Sequence, residues 1–393
     1  MNQPGYYWPM VQQPIHDKAA LRAGMVSTYP PSRCGIARFA ESLAQGLCAK
    51  SPNVSVDVAR IRRNVEPVLD ETVTATSMEF DPESTVSRRA AARYLNGTDV
   101  VVLQHEYGIY GADDGVAVID LTEHIERPIV SILHTVLRHP TARQRDIVES
   151  LAAASSRVVV PSMAARTFLA AGYDVSPMKV AVIDHGSRWA PVPVRPTPRT
   201  ELISWGLLGP GKGLERAIRA VSKLRGVTPG LRYRIVGQTH PEVIRATGTT
   251  YRSSLESLVE ELDATGIVEF VDRYVGDLEL HRLVRSSDVV IVPYDNDEQV
   301  CSGVVIDAVA AGRPVVATRF PHAVELLSDG AGLVVDHDAD AMAKAIHSIL
   351  DDAPLYEFHA EEARRRGLGL GWRGIAEQYA RLLSEPGRAR ATA

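Results

Sequence analysis

Short apolar runs alternate with segments of helical spacing along nearly the whole chain. In the first half the strand-like runs are AGMVSTY (23–29), VSVDVARI (54–61), DVVVLQHE (99–106), PIVSILHT (128–135), RVVVPS (157–162) and KVAVIDHG (179–186). Between the first two, IARFAESLAQGL repeats Ile36, Phe39, Leu43 and Leu47 at the spacing of a helix with one apolar face. Strands rich in Val and Ile that alternate with helices predict a parallel sheet covered on both faces. The stretch WAPVPVRPTPRTEL then breaks the pattern with Pro191, Pro193, Pro196 and Pro198. Proline fixes φ and removes a hydrogen-bond donor, so this stretch reads as an extended connector.

The alternation restarts with ELISWGLL (201–208), YRIVGQ (233–238), IVEFVDRY (267–274), DVVIVPY (288–294), PVVATRF (314–320) and GLVVDH (332–337). The pattern therefore predicts an α/β protein of two Rossmann-like domains facing a central cleft. A flexible arm covers 1–22, the first domain 23–190, a proline-rich linker 191–200 and the second domain 201–367. Residues 368–393 carry a closing helix, expected to pack back on the N-terminal domain, and a flexible tail. Open parallel sheets bind ligands beyond the carboxyl ends of their strands, beside helix N-termini, so the chemistry is sought in the loops that follow the strands.

Composition narrows the class. The 393 residues are 45% hydrophobic and 23% charged with a net charge of -5, as in a soluble globular protein with material for two cores. The mildly acidic balance argues against a nucleic-acid partner. Cys34, Cys48 and Cys301 are odd in number and widely spaced, which fits neither a disulfide framework nor a zinc site and points to a reducing cytoplasm. The N-terminus has no secretion-signal pattern, and no apolar run is long enough to cross a bilayer. Arg60, Arg62, Arg63, Arg88, Arg89 and Arg93 leave peripheral contact with the inner membrane face open. Composition does not address the oligomeric state.

Four loops hold candidate chemistry. STYPPSRCGIARF sets Gly35 before a helix, where backbone can approach an anion, although a tight turn explains one glycine equally well. GLLGPGKGLERAI surrounds Lys212 with glycines at a helix entrance. That suits a diphosphate or a solvated turn, and Gly213 excludes a Walker A match. His134 ends one strand, and His105 and Glu106 end its neighbour, as sugar-binding groups or as satisfied core polar residues. The fourth, DEQVCSGVVIDAVAAGRPVVAT, brings Gln299 and Ser302 to the rim and begins a helix near Ser302–Gly303. Its lone acid, Asp307, comes too late for a capping box; it suits hydrogen bonds from a vicinal diol such as a ribose, or a favourable interaction with the helix dipole. The histidines show no H-E-x-x-H spacing, and no metal and no other cofactor is expected.

Together these residues resemble the GT-B glycosyltransferases, specifically the retaining glycosyltransferase family 4 (glycosyl transferases group 1), from about Gly24 to the final helix. The resemblance implies a nucleoside-diphosphate sugar donor, GDP-mannose or a UDP-sugar, and a saccharide or glycolipid acceptor. STYPPSRCGIARF matches the family's N-terminal glycine loop with Gly35, and His134–Thr135 resembles its sugar-contacting histidine. GLLGPGKG resembles its basic loop, with Lys212 as the phosphate lysine. QVCSGVVID aligns with the E-x7-E element, so Gln299 reads the transferred sugar, Asp307 holds the ribose, and Ser302, Gly303 and Val304 bind the diphosphate. On this reading His134, Lys212 and Gln299 are catalytic, while His105, Glu106 and Tyr107 stand on the acceptor side. Leu207 replaces the family's phosphate arginine, and Arg273 is expected to compensate. QVCSG together with PHAVELL (321–327) resembles a branch with a Q-x-S-S-G pattern, which would put His322 and Glu325 on the donor side. The rival readings are a glycoside phosphorylase on the same fold and a non-catalytic sugar- or nucleotide-binding module.

Overall fold

A computed structural model describes residues 21–32, 34–50, 54–62, 76–191 and 199–385. The N-terminal arm up to residue 20, Arg63, linker residues 192–198 and the tail 386–393 lie outside the described residues. The first half builds a sheet from β1 (Leu21–Ser27), β2 (Val54–Ile61), β3 (Thr76–Phe80), β4 (Val100–His105), β5 (Ile129–Leu133), β6 (Arg157–Val160) and β7 (Val180–Val182). Their order is β3-β2-β1-β4-β5-β6-β7, and every pairing is parallel. The second half repeats the plan with β8 (Glu201–Trp205), β9 (Arg232–Val236), β10 (Val268–Val271), β11 (Val289–Val292), β12 (Val315–Thr318) and β13 (Gly332–Val335). Here the order is β10-β9-β8-β11-β12-β13.

Both sheets reverse their winding once, between β1 and β4 and between β8 and β11. Helices cover both faces, so the central strands are buried throughout, as in β4, β5 and β11. This is why their sequences read as continuous apolar runs and not as alternation. The strands are shorter than those runs. In DVVIVPY, for example, the ladder stops at Val292, because Pro293 has no donor to continue it, while Tyr294 turns to stack on Phe320 at the rim. β3 is absent from the sequence-based expectation. Its stretch TSMEF offers only Met78 and Phe80 to the apolar pattern, and it lies on the sheet edge.

The final helix, Trp372–Ser384, packs on the first helix, Gly35–Lys50, and so returns the chain to the N-terminal domain. Gly46 permits this closeness: a Cβ there would lie 2.7 Å from the Cβ of Ala376. Where the chain passes between the halves, Ser187 pairs with Gly371 in an isolated parallel bridge. The Ser187 amide donates to Leu370 O (2.7 Å), and the Trp372 amide donates to Ser187 O (3.2 Å). Further ties join the halves, two of them at the start of one N-terminal-half helix. Ser162 Oγ donates to Val300 O (2.8 Å). The Glu325 carboxylate accepts from the amides of Met163 (2.9 Å) and Ala164 (3.0 Å) at the start of the helix Met163–Gly172.

Candidate active site

The two reversal points face each other across a cleft of about 480 Å³. The loop after β1 contributes Cys34, Gly35, Arg38 and Phe39; the ends of β4 and β5 contribute Glu106 and His134. From the other half, the loop after β8 brings Gly206, Leu207 and Lys212, and the loop after β11 brings Gln299 and Cys301 through Val304. Asp307 lines the same space. Strand ends and glycines at these turns make the opening that doubly wound sheets provide at such points.

The helix Gly303–Ala310 starts as expected. Ser302 is its N-cap, with its hydroxyl accepting from the Val305 amide. The Ser302 amide itself is taken by His322 Nδ1 at 2.8 Å, which leaves the amides of Gly303 and Val304 as the free donors of the first turn. One turn on, Asp307 Oδ1 accepts from Ser187 Oγ at 2.7 Å. Burial pushes the Asp307 carboxyl up to about 6, opposed first by the charge of Arg38 and then by the Ser187 hydrogen bond. Lys212 holds its ammonium 4.3 Å from the Tyr294 ring centroid and has no ion-pair partner among the described residues. An aromatic face steadies such a cation without neutralising it.

On the opposite wall, His134 Nε2 lies 2.8 Å from Gln104 Oε1, so the amide oxygen fixes Nε2 as the donor and leaves Nδ1 as an acceptor. Burial lowers its imidazole to about 3, and it is neutral at physiological pH. Phe39 meets His134, His185 and Trp372 edge-on at 4.7, 4.9 and 5.0 Å. Glu106 accepts from Thr135 Oγ1 and from the Tyr107 amide, and burial raises its carboxyl.

Several expectations need correction. His105 is buried on the other face of β4 from Gln104, against Tyr107 and Tyr110, and does not line the cleft. The Tyr107 hydroxyl turns to Gln144 O, also away from the cleft. Arg273 projects to solvent in a two-pronged pair with Glu279 and does not stand in for the missing arginine beside Leu207. Glu325 and His322 hold the interface and the helix start described above and do not line the cleft. The Gln299 side-chain NH2 is turned onto its own loop, donating to Cys301 O at 2.8 Å. Sequence reasoning missed Arg38, Arg188 and His185. Arg38 lies on a loop already singled out, but helical spacing marks it only as a polar-face residue, while His185 and Arg188 sit at a strand-to-linker exit outside those loops.

Residues 199–352 match the family model described as glycosyl transferases group 1. The C-terminal domain thus carries the match to glycosyl transferases group 1. Across 229 residues, 54% of this chain, the sequence is 29% identical to D-inositol 3-phosphate glycosyltransferase of Corynebacterium glutamicum. The chain spans about half of that relative's length, 53%. Among solved structures, sucrose-phosphate synthase of Thermosynechococcus elongatus superposes with a TM-score of 0.71 at 18% identity, covering 92% of this chain and 98% of that one. HepE of Anabaena, solved with UDP and glucose, superposes with a TM-score of 0.71 at 18% identity, covering 93% and 99%. These superpositions carry the fold of the whole chain: two Rossmann-like domains in the GT-B arrangement, with the group 1 domain supplying Lys212, the Gly303–Ala310 helix and Asp307. No helix among the described residues is long and apolar enough to cross a membrane.

Proposed function

We propose that the protein is a retaining glycosyltransferase that moves a hexose from a nucleoside-diphosphate sugar to a hydroxyl of a saccharide or glycolipid. One observation carries this reading: a lysine without a counter-ion, two free helix amides and a half-buried carboxylate converge on one cleft within a group 1 domain. The amides of Gly303 and Val304 suit the diphosphate, and Asp307 suits the ribose hydroxyls. The curated relative transfers a glycosyl group and the HepE structure holds UDP and glucose, which supports a nucleotide-sugar donor here.

In this reading catalysis is electrostatic. As the glycosidic bond to the leaving diphosphate breaks, Lys212 and the two amides stabilise the negative charge that develops on it. Their partners are fixed beforehand, by Tyr294 for the lysine and by His322 and Ser302 for the helix start. His134 is neutral and orients a sugar hydroxyl through Nδ1, without acting as a proton donor. The Gln299 side-chain oxygen remains available to a sugar hydroxyl while its NH2 is held by Cys301 O. The incoming hydroxyl passes its proton to the departing phosphate, so no protein nucleophile is needed.

Thermal unfolding with UDP, GDP, ADP and inorganic phosphate, for the wild type and Asp307→Ala, tests the reading. A ligand at a hundredfold excess over its dissociation constant adds ~2.7 kcal/mol of stability. Stabilisation by one nucleotide, lost in Asp307→Ala, is expected and identifies the base of the donor. Response to phosphate alone would favour a phosphorylase, and response to none of the four would overturn the donor site.

A further inference from the structure

The cleft wall opposite the group 1 domain carries two arginines. Arg188 is fully engaged: Nε donates to Ser42 Oγ (2.6 Å), NH2 meets Glu41 (2.6 Å) and NH1 meets Asp277 Oδ2 (3.2 Å). Arg38 has a simpler arrangement. Its NH2 meets Asp277 Oδ1 at 2.7 Å, across the cleft, and its side chain remains about one-third exposed. Asp277 therefore serves two guanidinium groups and would keep one if Arg38 left it.

Arg38 lines the same cleft as the helix start where the diphosphate is expected. Its charge is the largest influence drawing Asp307 back toward the ionised form, and it also acts on His185. The His185 ring lies 3.9 Å from the position a Cβ on Gly303 would take. Arg38 lines the same cleft as Gly303 and Val304 from the N-terminal half, and Lys212 lines it from the C-terminal half. Leu207, on the lining beside Lys212, supplies no charge.

Building on the transferase reading, we propose that Arg38 is the second phosphate-binding cation, exchanging Asp277 for a diphosphate oxygen when a nucleoside diphosphate enters the cleft. Asp277 keeps its contact with Arg188, which it shares with Glu41, so the exchange does not leave it without a cationic partner. A guanidinium offers the phosphate paired donors that an ammonium lacks, and here it comes from the domain opposite the nucleotide. The diphosphate then bridges the two halves.

Titration calorimetry on the full chain tests this with UDP, GDP or ADP, whichever binds, and with the matching nucleoside. Arg38→Ala is expected to weaken the nucleoside diphosphate roughly tenfold to a hundredfold, as for a lost hydrogen bond to a charged group. The nucleoside should bind the variant as it binds the wild type. Asp277→Asn releases Arg38 without removing it, so the diphosphate should bind at least as tightly as before. If Arg38 were only an interdomain strut, both variants would weaken diphosphate and nucleoside alike, and that result would overturn the proposal. Undiminished diphosphate binding by Arg38→Ala overturns it too, and Lys212→Ala then shows whether the donor site still stands. A wild type that binds no nucleoside diphosphate removes the transferase reading and this inference together.

Discussion

Asp307 is held at a cost. Its carboxyl titrates near 6 in the folded protein against an ordinary 3.8, so folding favours its protonated form. Stability therefore falls as pH rises from about 4 to 6, and above 6 the whole penalty is present. Asp307→Asn keeps an oxygen for Ser187 and removes the charge. It should raise the unfolding midpoint at pH 7.5 while weakening nucleotide binding, two opposite shifts that one calorimetric series would record. Four histidines work the other way: His105, His134, His185 and His322 are lowered chiefly by burial, to about 4, 3, 4 and 3. Their contribution is complete above an ordinary 6.5 and is lost as pH falls through that range. The unfolding midpoint should drop between pH 6.5 and 4, more steeply in Asp307→Asn, where no acid regains its proton to offset the loss. The sequence made Asp307 and Lys212 legible because each is an isolated charge among small or apolar neighbours. Arg38 looked like any solvated helix residue, since only the opposite domain gives it a role.

The rim loops show which parts of an element can be read in advance. Gly213 lies in the left-handed region (φ 62) as N-cap of the helix Leu214–Ser222. A Cβ there would run into the Pro293 carbonyl, which explains physically why the serine or threonine of a Walker loop has no room at this place. Gly213→Ala should cost about 1–3 kcal/mol. It should also displace Lys212, so a lower midpoint in thermal unfolding should accompany weaker nucleoside-diphosphate affinity. The central strands were legible because burial on both faces demands continuous Val and Ile. Their ends were not, since an apolar residue that leaves the ladder to pack at the rim, such as Tyr294, looks the same in sequence as one that stays. β3 escaped notice for the opposite reason, an edge strand needing few apolar residues.

At the scale of the molecule, the two halves were visible as one pattern written twice with prolines between. Their mutual placement was not, because the contacts that set it come from residues that pattern reading assigns to the surface. Glu325 is the clearest case: expected on the donor side, it caps a helix of the other half through two amides. Glu325→Ala should cost about 1 kcal/mol, the usual worth of a cap. It should also loosen the interface, seen as a larger radius of gyration in small-angle scattering without ligand. Unchanged scattering would mean that the other contacts between the halves hold them without it.

The bridge between Ser187 and Gly371 has a mechanical meaning. Two segments cross from one half to the other side by side, hydrogen-bonded to each other, as two pins do in a door. A joint of that kind favours swinging about one line over torsion about any other. Ser187, one of those pins, also holds Asp307 by its hydroxyl. Asp307, proposed above to hold the nucleotide, therefore sits beside that joint, where a swing would move it least, while Arg38 and Asp277 meet across the cleft.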